Sequence, residues 1–572
     1  MKKAPSLFTR GLLLALSLMA TPVFAQDVDS LIGTMTRREK IAQIIIDAIE
    51  SQESAEIRAR HKAWVREGMG GLIVMDDGLA PCLQTINELQ ADARIPMIVS
   101  IDGEWGAAMR FYEYAAFPRA MQLGALDDEE MVEQAGQEIG RQLREIKIFV
   151  NYAPVVDVNN NPDNPVINTR SFGEDPERVA RLGAAYMRGM QQAGVYGSAK
   201  HFPGHGDTDV DSHVGMPVLP FDRERLNSLE LVPFRRLIAE GVEMVMVGHL
   251  SVPALDPTGR PASISKPVIT GLLREEMGFQ GIIITDALGM HGVADSQANA
   301  ALEAYKAGAD ILLMPEDTQQ TIDDLEAAFR RGELDEEGLN NRVRKLLLLK
   351  QKAGMLEAGY TPFVDTAGLV GKAVRPEAES LIQRICDRSM TVVKGALRRP
   401  LRLHRLFSKR PRVAYVAFNA ATPESEAFCR ELEQHGPVAR FDLPADATKQ
   451  QIDSVGALLR KYRRVIIGIH SGKPVPRSGG PKRFATIDPE QFGQLASWSR
   501  RHQLHGVYFG NPYDLNLLND YNRFKTFIIA YSDTRFNNVA AARALTVPRS
   551  AHGSLPVAAG GLPAGWHSNV LR

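Results

Sequence analysis

The segment Lys200–His213 brings three imidazoles, one lysine and three aspartates together in a single short stretch. It reads KHFPGHGDTDVDSH, and glycine and proline break it directly after an apolar run, which is typical of a loop. Polar residues on such loops are candidates for chemistry. Asp211 stands two residues before His213, and a carboxylate that close can orient an imidazole and stabilise its protonated form. The spacing therefore predicts a proton-transfer pair, and with it an enzyme.

Short apolar runs before and after this loop predict the elements that position it. The runs are rich in β-branched residues, are bounded by glycine or proline, and alternate with amphipathic helical segments, a pattern typical of parallel strands buried on both faces. Seven such runs over about 300 residues favour a (β/α)8-like TIM barrel, with an open sheet as the alternative. The runs are Gly71–Met75, Pro96–Ile101, Ile148–Val158, Val195–Ala199, Val242–Val247, Gly281–Thr285 and Ala309–Met314.

Unusual polar residues follow these predicted strands. Barrel active sites assemble at the carboxyl ends of the strands, so side chains just after them are expected to converge. The residues in these positions are Asp102, Arg170, Lys200, His201, His249 and Asp286.

The chain of 572 residues is long enough for more than one domain. We expect a signal peptide over 1–25, a catalytic barrel over 26–355, a linker over 356–379 and a smaller α/β layered domain over 380–572. A glycine- and proline-rich stretch near the carboxyl end is expected to be poorly ordered. The strands predicted in the second domain are Val413–Phe418, Val465–Ile469, Gly506–Phe509 and Phe527–Tyr531.

The first residues have the composition of a secretory signal. Basic residues precede an apolar stretch from Gly11 to Ala20, and Val23 and Ala25 precede the expected cleavage point after Ala25. That stretch is too short to span a bilayer. We therefore expect a periplasmic or secreted protein without a membrane span.

Composition narrows the possible partners. The formal net charge is −1, which gives no indication of nucleic acid binding. The cysteines Cys82, Cys386 and Cys429 are too few and too scattered for a disulfide framework or a zinc knuckle. We expect no cofactor and no metal, and the oligomeric state stays open.

Several motifs in the first 355 residues carry a family resemblance. In order, they are Ser100-Ile-Asp-Gly-Glu, Asn151-Tyr-Ala-Pro-Val-Val-Asp-Val, Asn168-Thr-Arg-Ser-Phe-Gly-Glu-Asp-Pro, the segment KHFPGHGDTDVDSH, Val245-Met-Val-Gly-His, Gly281-Ile-Ile-Ile-Thr-Asp-Ala and Ala307-Gly-Ala-Asp-Ile. Together they resemble family 3 glycoside hydrolases, in the β-N-acetylglucosaminidase branch. More faintly, Gly510-Asn-Pro-Tyr and Gly553-Ser-Leu-Pro-Val resemble the second domain of two-domain members.

The resemblance implies a retaining mechanism with a covalent glycosyl-enzyme intermediate. Asp286 matches the family nucleophile, and His213 matches the acid/base residue of this branch, with Asp211 orienting its ring. The resemblance implies a terminal β-linked N-acetylglucosamine as the sugar that is removed. The expected export indicates peptidoglycan fragments or chito-oligosaccharides as the substrate, with peptidoglycan turnover favoured. The family residues that hold the sugar hydroxyls match Asp102, Arg170, Lys200 and His201.

One motif departs from the family pattern. Family members commonly read Asp-Gln-Glu-Gly-Gly-Arg-Val at the first sugar-binding loop, whereas this chain has Ala107 in place of the arginine and adds Trp105. The tryptophan could stack on a sugar in a neighbouring subsite or fill the barrel mouth. The preferred aglycone therefore stays open.

Two other activities are alternatives to a retaining glycoside hydrolase. A histidine base is neutral after it releases its proton and repels an anionic acceptor less than a carboxylate does, so the same site could act as a phosphorylase. A metal-dependent hydrolase is the less favoured alternative, since the ligands in Lys200–His213 need not converge in space.

Overall fold

The computed structural model describes residues 27–49, 54–75, 78–210, 215–290, 293, 299–373, 375–395, 401, 403, 411–471, 487–547 and 550–568. The expected signal peptide over 1–25 lies outside these residues. Within them, no helix is both long and apolar enough to cross a membrane.

The first sheet is an eight-stranded parallel barrel. Its strands follow chain order around the sheet from β1 to β7, and β8 pairs with β1. The ring closes where Asp310 N and Ile311 N donate to Ile283 O, and Thr285 N donates to Ile311 O. The strands are β1 (Ile45–Ile49), β2 (Gly71–Val74), β3 (Ile98–Ile101), β4 (Val150–Asn151), β5 (Tyr196–Phe202), β6 (Met244–Val247), β7 (Ile282–Thr285) and β8 (Leu312–Leu313).

Amphipathic helices surround the barrel and link its strands. Local signals place their ends: α7, for example, begins where the Asp175 side chain accepts the N–H groups of Glu177 and Arg178, with Pro176 in the first turn. The helices are α1 (Val28–Gly33), α2 (Arg37–Gln43), α3 (Ala55–Arg66), α4 (Leu79–Gln90), α5 (Ala120–Leu126), α6 (Glu129–Glu145), α7 (Pro176–Gln192), α8 (Arg223–Ser228), α9 (Val232–Ala239), α10 (Ala300–Ala307), α11 (Thr318–Arg330) and α12 (Glu336–Lys352), with a π-helical segment at Pro267–Glu276 and 3₁₀ turns at Ala107–Met109, Asn168–Arg170 and Ala262–Ile264.

The second domain is built on a six-stranded mixed sheet. The strand order is β11-β10-β12-β13-β14-β9, parallel except where β9 pairs antiparallel with β14. The strands are β9 (Thr391–Lys394), β10 (Val413–Phe418), β11 (Ala439–Leu443), β12 (Arg464–Ile469), β13 (Gln503–Tyr508) and β14 (Thr526–Ile529). The helices are α13 (Leu369–Ala373), α14 (Pro376–Ser389), α15 (Glu426–Gln434), α16 (Lys449–Leu458), α17 (Pro489–Ser497) and α18 (Arg535–Thr546), with 3₁₀ turns at Leu459–Lys461, Trp498–Arg500, Pro512–Asn516 and Asn519–Arg523.

The fold class predicted from the sequence, a TIM barrel followed by an α/β layered domain, is confirmed. Each of the seven predicted barrel runs overlaps a strand, and β5 continues beyond the run Val195–Ala199 to Phe202, so that it includes Lys200 and His201. The run Ile148–Val158 keeps only the two residues of β4 as strand. The first strand, β1, was not predicted, and neither were β9 and β11 in the second domain.

The segment between the two domains contains helices and contacts the barrel. The predicted linker over 356–379 contains α13 and the first residues of α14. It is held to the barrel by Asn87 of α4, whose side chain donates to Val364 O at 2.8 Å and accepts from Val364 N at 2.9 Å.

The stretch near the carboxyl end fastens the two domains together, so the expectation of poor order was wrong for residues 550–568. Ser554 N donates to Ala125 O of the barrel at 3.0 Å, and Glu174 N donates to Pro556 O at 3.2 Å. The approach is so close that a Cβ on Gly173 would lie 2.4 Å from Pro556 O. A side chain at Gly173 would therefore push the tail away from the barrel.

Candidate active site

Asp286 lies directly after β7, at the carboxyl end of the barrel. Its backbone N–H donates to Val247 O of β6, and its Oδ1 accepts the Ala287 N–H at 2.9 Å. Burial alone would raise the pKa of this carboxyl, but the charges of His249 and His201, the Ala287 N–H and the charge of Lys200 lower it to about 2. The carboxylate is thus anionic at any working pH, as a nucleophile must be.

A compact group of opposite charges, the charge cluster, surrounds the end of β5. Lys200 Nζ lies 2.7 Å from Asp102 Oδ1 and 3.0 Å from Glu104 Oε1, and the Lys200 side chain is only 3% exposed. Burial opposes the charge of Lys200, yet the two carboxylates raise its pKa above the ordinary value. The ammonium group therefore stays charged and holds both carboxylates in place.

Arg170 completes the charge cluster from the loop after β4. Its Nη2 and Nε reach both oxygens of Glu104, at 2.7 and 3.0 Å, in the two-pronged geometry that fixes a carboxylate most firmly. Burial alone would raise the pKa of Glu104. The charges of Arg170 and Lys200 outweigh burial and lower this pKa well below its ordinary value. Glu104 thus carries a permanent negative charge between two cations.

Arg110 supplies a cation near the position where family members commonly have an arginine and this chain has Ala107. Its Nη2 lies 3.0 Å from Asp102 Oδ2, while Lys200 occupies Oδ1 of the same carboxylate. Burial raises the pKa of Asp102, but the Lys200 and Arg110 charges outweigh it and lower the pKa. Asp102 is therefore an ionised acceptor that can take a hydrogen bond from a sugar hydroxyl.

A buried aspartate orients the ring of His201. Asp157 Oδ2 lies 2.7 Å from His201 Nδ1, and the same carboxylate accepts the backbone N–H groups of His201 and His205. Burial raises the pKa of Asp157, and the charge and hydrogen bond of His201 lower it below its ordinary value. A carboxylate accepts but does not donate, so Nδ1 carries the hydrogen and Nε2 points towards Arg170 Nη2, 3.4 Å away.

His249 supports the chain beside Asp286. One ring nitrogen lies 2.7 Å from Ser263 Oγ and the other 2.8 Å from Ala287 O. The ring is buried and fixes the peptide that follows Asp286. We infer that His249 orients the carboxylate and adds to the positive potential around it.

Trp105 faces away from open solvent. Only 6% of it is exposed, and the Arg119 guanidinium lies over its ring at 4.3 Å from the centroid, a cation–π contact. The ring therefore fills part of the barrel mouth, and stacking on a sugar stays a prediction.

The second domain supports the loop that carries Arg170. The Tyr513 hydroxyl donates to Asn159 O at 2.8 Å and accepts from Asn159 Nδ2 at 3.0 Å. Asn511 Nδ2 donates to Asn168 Oδ1, two residues before Arg170. The motif Gly510-Asn-Pro-Tyr therefore supports the loop that carries Arg170 from outside the barrel.

Two of the residues predicted to be catalytic, Asp211 and His213, lie outside the described residues. The other predicted residues, Asp102, Arg170, Lys200, His201 and Asp286, converge at the carboxyl end of the barrel, as their positions after strands indicated. Among the residues that the structure describes, no group of three or more histidine, cysteine, aspartate or glutamate side chains could hold a metal ion.

Three residues of the site were not predicted as such. Glu104 and Asp157 stand inside the quoted motifs and follow the same strands as the predicted residues, so the position after a strand could have indicated them. Arg110 lies three residues beyond the expected arginine, and nothing in its sequence context indicates a contact with Asp102.

Comparison with known proteins agrees with this architecture. Residues 36–349 match the family described as the glycosyl hydrolase family 3 N-terminal domain. Beta-hexosaminidase A of Pseudoalteromonas piscicida is 33% identical over 428 residues, which are 67% of this chain and 70% of that protein. Beta-hexosaminidase LpqI of Mycobacterium tuberculosis (strain ATCC 25618 / H37Rv) is 34% identical over 331 residues, 55% of this chain and 83% of that protein.

A solved structure extends the likeness to both domains. The glycoside hydrolase family 3 beta-N-acetylglucosaminidase from Paenibacillus sp. str. FPU-7 superposes with a TM-score of 0.74 at 32% identity, covering 91% of this chain and 98% of that one. The family match over residues 36–349, together with these relatives, defines a glycoside hydrolase. This chain belongs to glycoside hydrolase family 3, as a two-domain member.

Proposed function

We propose that this chain is a retaining exo-β-N-acetylglucosaminidase that removes terminal β-linked N-acetylglucosamine. The observation that carries the proposal is Asp286, an anionic carboxylate at a barrel strand end, beside the charge cluster. Relatives named as beta-hexosaminidases, and a structure named as a beta-N-acetylglucosaminidase, support the choice of sugar.

In the first half-reaction, one Asp286 carboxylate oxygen attacks the anomeric carbon and forms a glycosyl ester. The bond to the aglycone oxygen breaks as protonated His213 delivers its proton there. In the second half-reaction, His213 takes a proton from water, and the resulting hydroxide attacks the anomeric carbon and releases Asp286. Asp211 would orient the His213 ring throughout.

The charge cluster would hold the sugar during both steps. Asp102 accepts hydrogen bonds from hydroxyl groups, and Arg170 and Lys200 donate to hydroxyl oxygens. His201, whose Nδ1 hydrogen is directed at Asp157, offers Nε2 as an acceptor. Charged partners of this kind cost free energy when left unpaired, so they discriminate against sugars that lack the matching hydroxyl.

Phosphorolysis at the same site is the second candidate. Three cations, Arg110, Arg170 and Lys200, lie at the barrel mouth, and the proposed base is neutral rather than anionic. Because both features reduce the electrostatic repulsion of an anion, phosphate could replace water as the acceptor and give a sugar 1-phosphate.

The testing experiment compares the nitrophenyl β-glycosides of N-acetylglucosamine and glucose, with and without phosphate. Wild type should release nitrophenol from the acetamido sugar selectively, and Asp286→Ala and His213→Ala should each lose that activity. Asp453→Ala, at an exposed site on α16, and His552→Ala, exposed in the tail, serve as matched controls.

Each contrary outcome would be specific. A preference for the plain glucoside would contradict the proposed sugar. Activity that survives in His213→Ala would place the acid/base residue elsewhere. Faster turnover with phosphate, yielding sugar 1-phosphate, would make the enzyme a phosphorylase, and loss of activity in a chelator would favour the metal-dependent alternative.

The location of the protein guides the choice of natural substrate. The basic and apolar residues before Ala25 support export to the periplasm or beyond, where peptidoglycan fragments and chito-oligosaccharides occur. Fractionation of cells and amino-terminal sequencing of the mature protein test this: a mature chain that begins at Gln26 is expected, and retention of Met1 in the cytoplasm would contradict export.

A further inference from the structure

A cavity of about 410 Å³ lies between the barrel and the second domain, and Asp286 is not among the residues that line it. One wall is the loop 105–119, which follows β3. The opposite wall is formed by α14 and by residues 532–537 at the start of α18, with Glu424 at its edge. The volume falls in the range of about 300–1,000 Å³ that is usual for sites that bind small molecules.

Aromatic side chains form much of the cavity lining. Trp105, Tyr112, Phe117 and Phe536 all contribute. Tyr112 is 54% exposed, which is unusual for a large ring and places it at the rim. Aromatic rings held at a rim offer flat surfaces on which the C–H face of a sugar ring can stack, and they lose little conformational entropy on binding.

Polar groups stand among these rings. The Glu113 Oε1 atom accepts the Leu79 N–H at 3.3 Å, whereas its Oε2 is buried and has no hydrogen-bond partner among the described residues. A buried oxygen without a donor costs free energy, and a turn of the Glu113 side chain towards the cavity would bring it to a ligand hydroxyl or amide N–H. Glu424 adds an exposed carboxylate to the same lining.

The cavity touches the charge cluster through Trp105. This residue directly follows Glu104, and its ring lies under the Arg119 guanidinium. Arg119 Nη1 donates to Thr169 Oγ1 at 3.1 Å, next to Arg170. A ligand in the cavity would therefore be only one or two side chains from the residues that hold the sugar in the active site.

We propose that this cavity is a second carbohydrate site that binds N-acetylglucosamine oligosaccharides independently of the catalytic pocket. The inference rests on the proposed function for its choice of ligand. Alternating hydroxyls and C–H faces match a lining of carboxylates and aromatic rings. A lipid tail would leave the polar lining groups, among them Glu113, Glu424 and Arg535, without hydrogen-bond partners on the ligand.

The number of ligands bound per chain tests this site directly. The probe is N,N′-diacetylchitobiose, titrated by calorimetry into the full-length Asp286→Ala variant, which cannot turn it over. Two ligands per chain are expected. In Asp286→Ala combined with Tyr112→Ala and Glu113→Gln, one site should remain and the other should weaken by at least tenfold.

Two further variants separate binding from loss of structure. Ala115→Trp fills the cavity from the same loop and should also remove one site, whereas Tyr112→Phe keeps the ring and should retain both. Phe363→Ala removes an exposed aromatic outside the cavity and should leave two sites.

A single ligand per chain in every variant would overturn the second site. A single ligand whose affinity falls in Tyr112→Ala would also overturn it, because the cavity would then be an extension of the catalytic pocket. The proposed function fails by a different measurement, the absence of nitrophenol release by wild type, so the two failures are distinguishable.

Discussion

Lys200 and Lys350 are both buried in the barrel, at its opposite ends, and their surroundings differ sharply. Lys200 lies at the carboxyl end between the carboxylates of Asp102 and Glu104. Lys350 belongs to α12 and is fully buried, and in the part of the chain that the structure describes it donates to one group, the Gln43 amide oxygen, at 2.5 Å. Gln43 in turn donates to Gly68 O before β2, which places this pair at the amino end.

The pKa values of the two ammonium groups move in opposite directions. Burial lowers both, but two carboxylates reverse the effect at Lys200 and raise its pKa. No charge among the described residues reverses it at Lys350, whose pKa falls to about 7. The comparison shows that counter-charges, and not depth of burial, decide whether a lysine in this barrel stays charged.

Substitution by methionine should therefore change the free energy of unfolding in opposite directions at Lys200 and Lys350, and the larger change is expected at Lys200. Lys200→Met leaves two buried carboxylates short of a cation, which should lower the free energy of unfolding by about 3–5 kcal/mol. Activity should fall by roughly 100-fold or more, because the charge cluster loses the cation that holds Asp102 and Glu104. Urea unfolding and nitrophenyl glycoside kinetics measure the two effects, and a variant as stable as wild type would break the comparison.

Arg110→Ala probes one contact of the charge cluster. Lys200 still neutralises Asp102 in this variant, so we expect a smaller loss, about tenfold in kcat/KM and about 1.5–3 kcal/mol in the free energy of unfolding. Arg223→Ala, on the exposed side of α8, is the matched control. A loss as large as that of Lys200→Met would mean that Arg110, rather than Lys200, holds Asp102.

Lys350→Met should increase the free energy of unfolding, by about 1 kcal/mol or more near pH 7, because it removes a poorly compensated buried amine. The gain should depend on pH. Between about pH 7 and the ordinary lysine value of about 10.4, the unfolded chain holds a proton that folded Lys350 lacks, so wild type becomes relatively more stable as pH rises. The advantage of the variant should thus be greatest at or below pH 7 and shrink towards pH 10.

Thermal unfolding of Lys350→Met and wild type at pH 6, 8 and 10 measures that trend. Leu348→Met, on the exposed side of α12, is the control for the choice of methionine. A difference between variant and wild type that does not change with pH would show that folded Lys350 stays protonated, contrary to its pKa of about 7.

The smallest expected effect concerns acid pH and Asp286. Because its pKa is about 2, the nucleophile stays ionised as pH falls, and kcat/KM should lose nothing to its protonation above about pH 3. On the alkaline side, kcat/KM should fall as His213, the proposed acid, loses its proton. A pH–rate profile checks both limbs, and a drop centred near pH 4 to 5 would contradict the lowered pKa of Asp286.

Much of the fold was predictable because buried parallel strands are short apolar runs separated by helices. The strand β1 escaped this pattern, since Ile44 and Ile45 continue the apolar side of α2 without a glycine or proline between them. Strand β11 lies at the edge of its sheet and is half-exposed, so its sequence ARFDL lacks a continuous apolar run. Strand β9 has only four residues and directly follows α14.

The site was predictable where residues follow strands and hidden where contacts cross the chain. Asp102, Lys200, His201 and Asp286 each come directly after or at the end of a strand. Arg110 reaches Asp102 only because the intervening loop folds back, and its sequence spacing does not show this. The pairing of Asn511 and Tyr513 with the Arg170 loop joins positions more than 300 residues apart, which no local pattern encodes.

The contact of residues 553–558 with the barrel has a consequence for the order of assembly during synthesis. This segment is made after every strand of both sheets, yet it covers Ala125 and the Gly173–Glu174 turn of the first domain. A barrel that folds on the ribosome before this segment is made therefore exposes Ala125 and the Gly173–Glu174 turn to solvent. Since domains fold as units as the chain emerges, docking of the second domain should be the last step of maturation, and a ribosome stalled before Gly553 should display a folded barrel with an undocked partner domain.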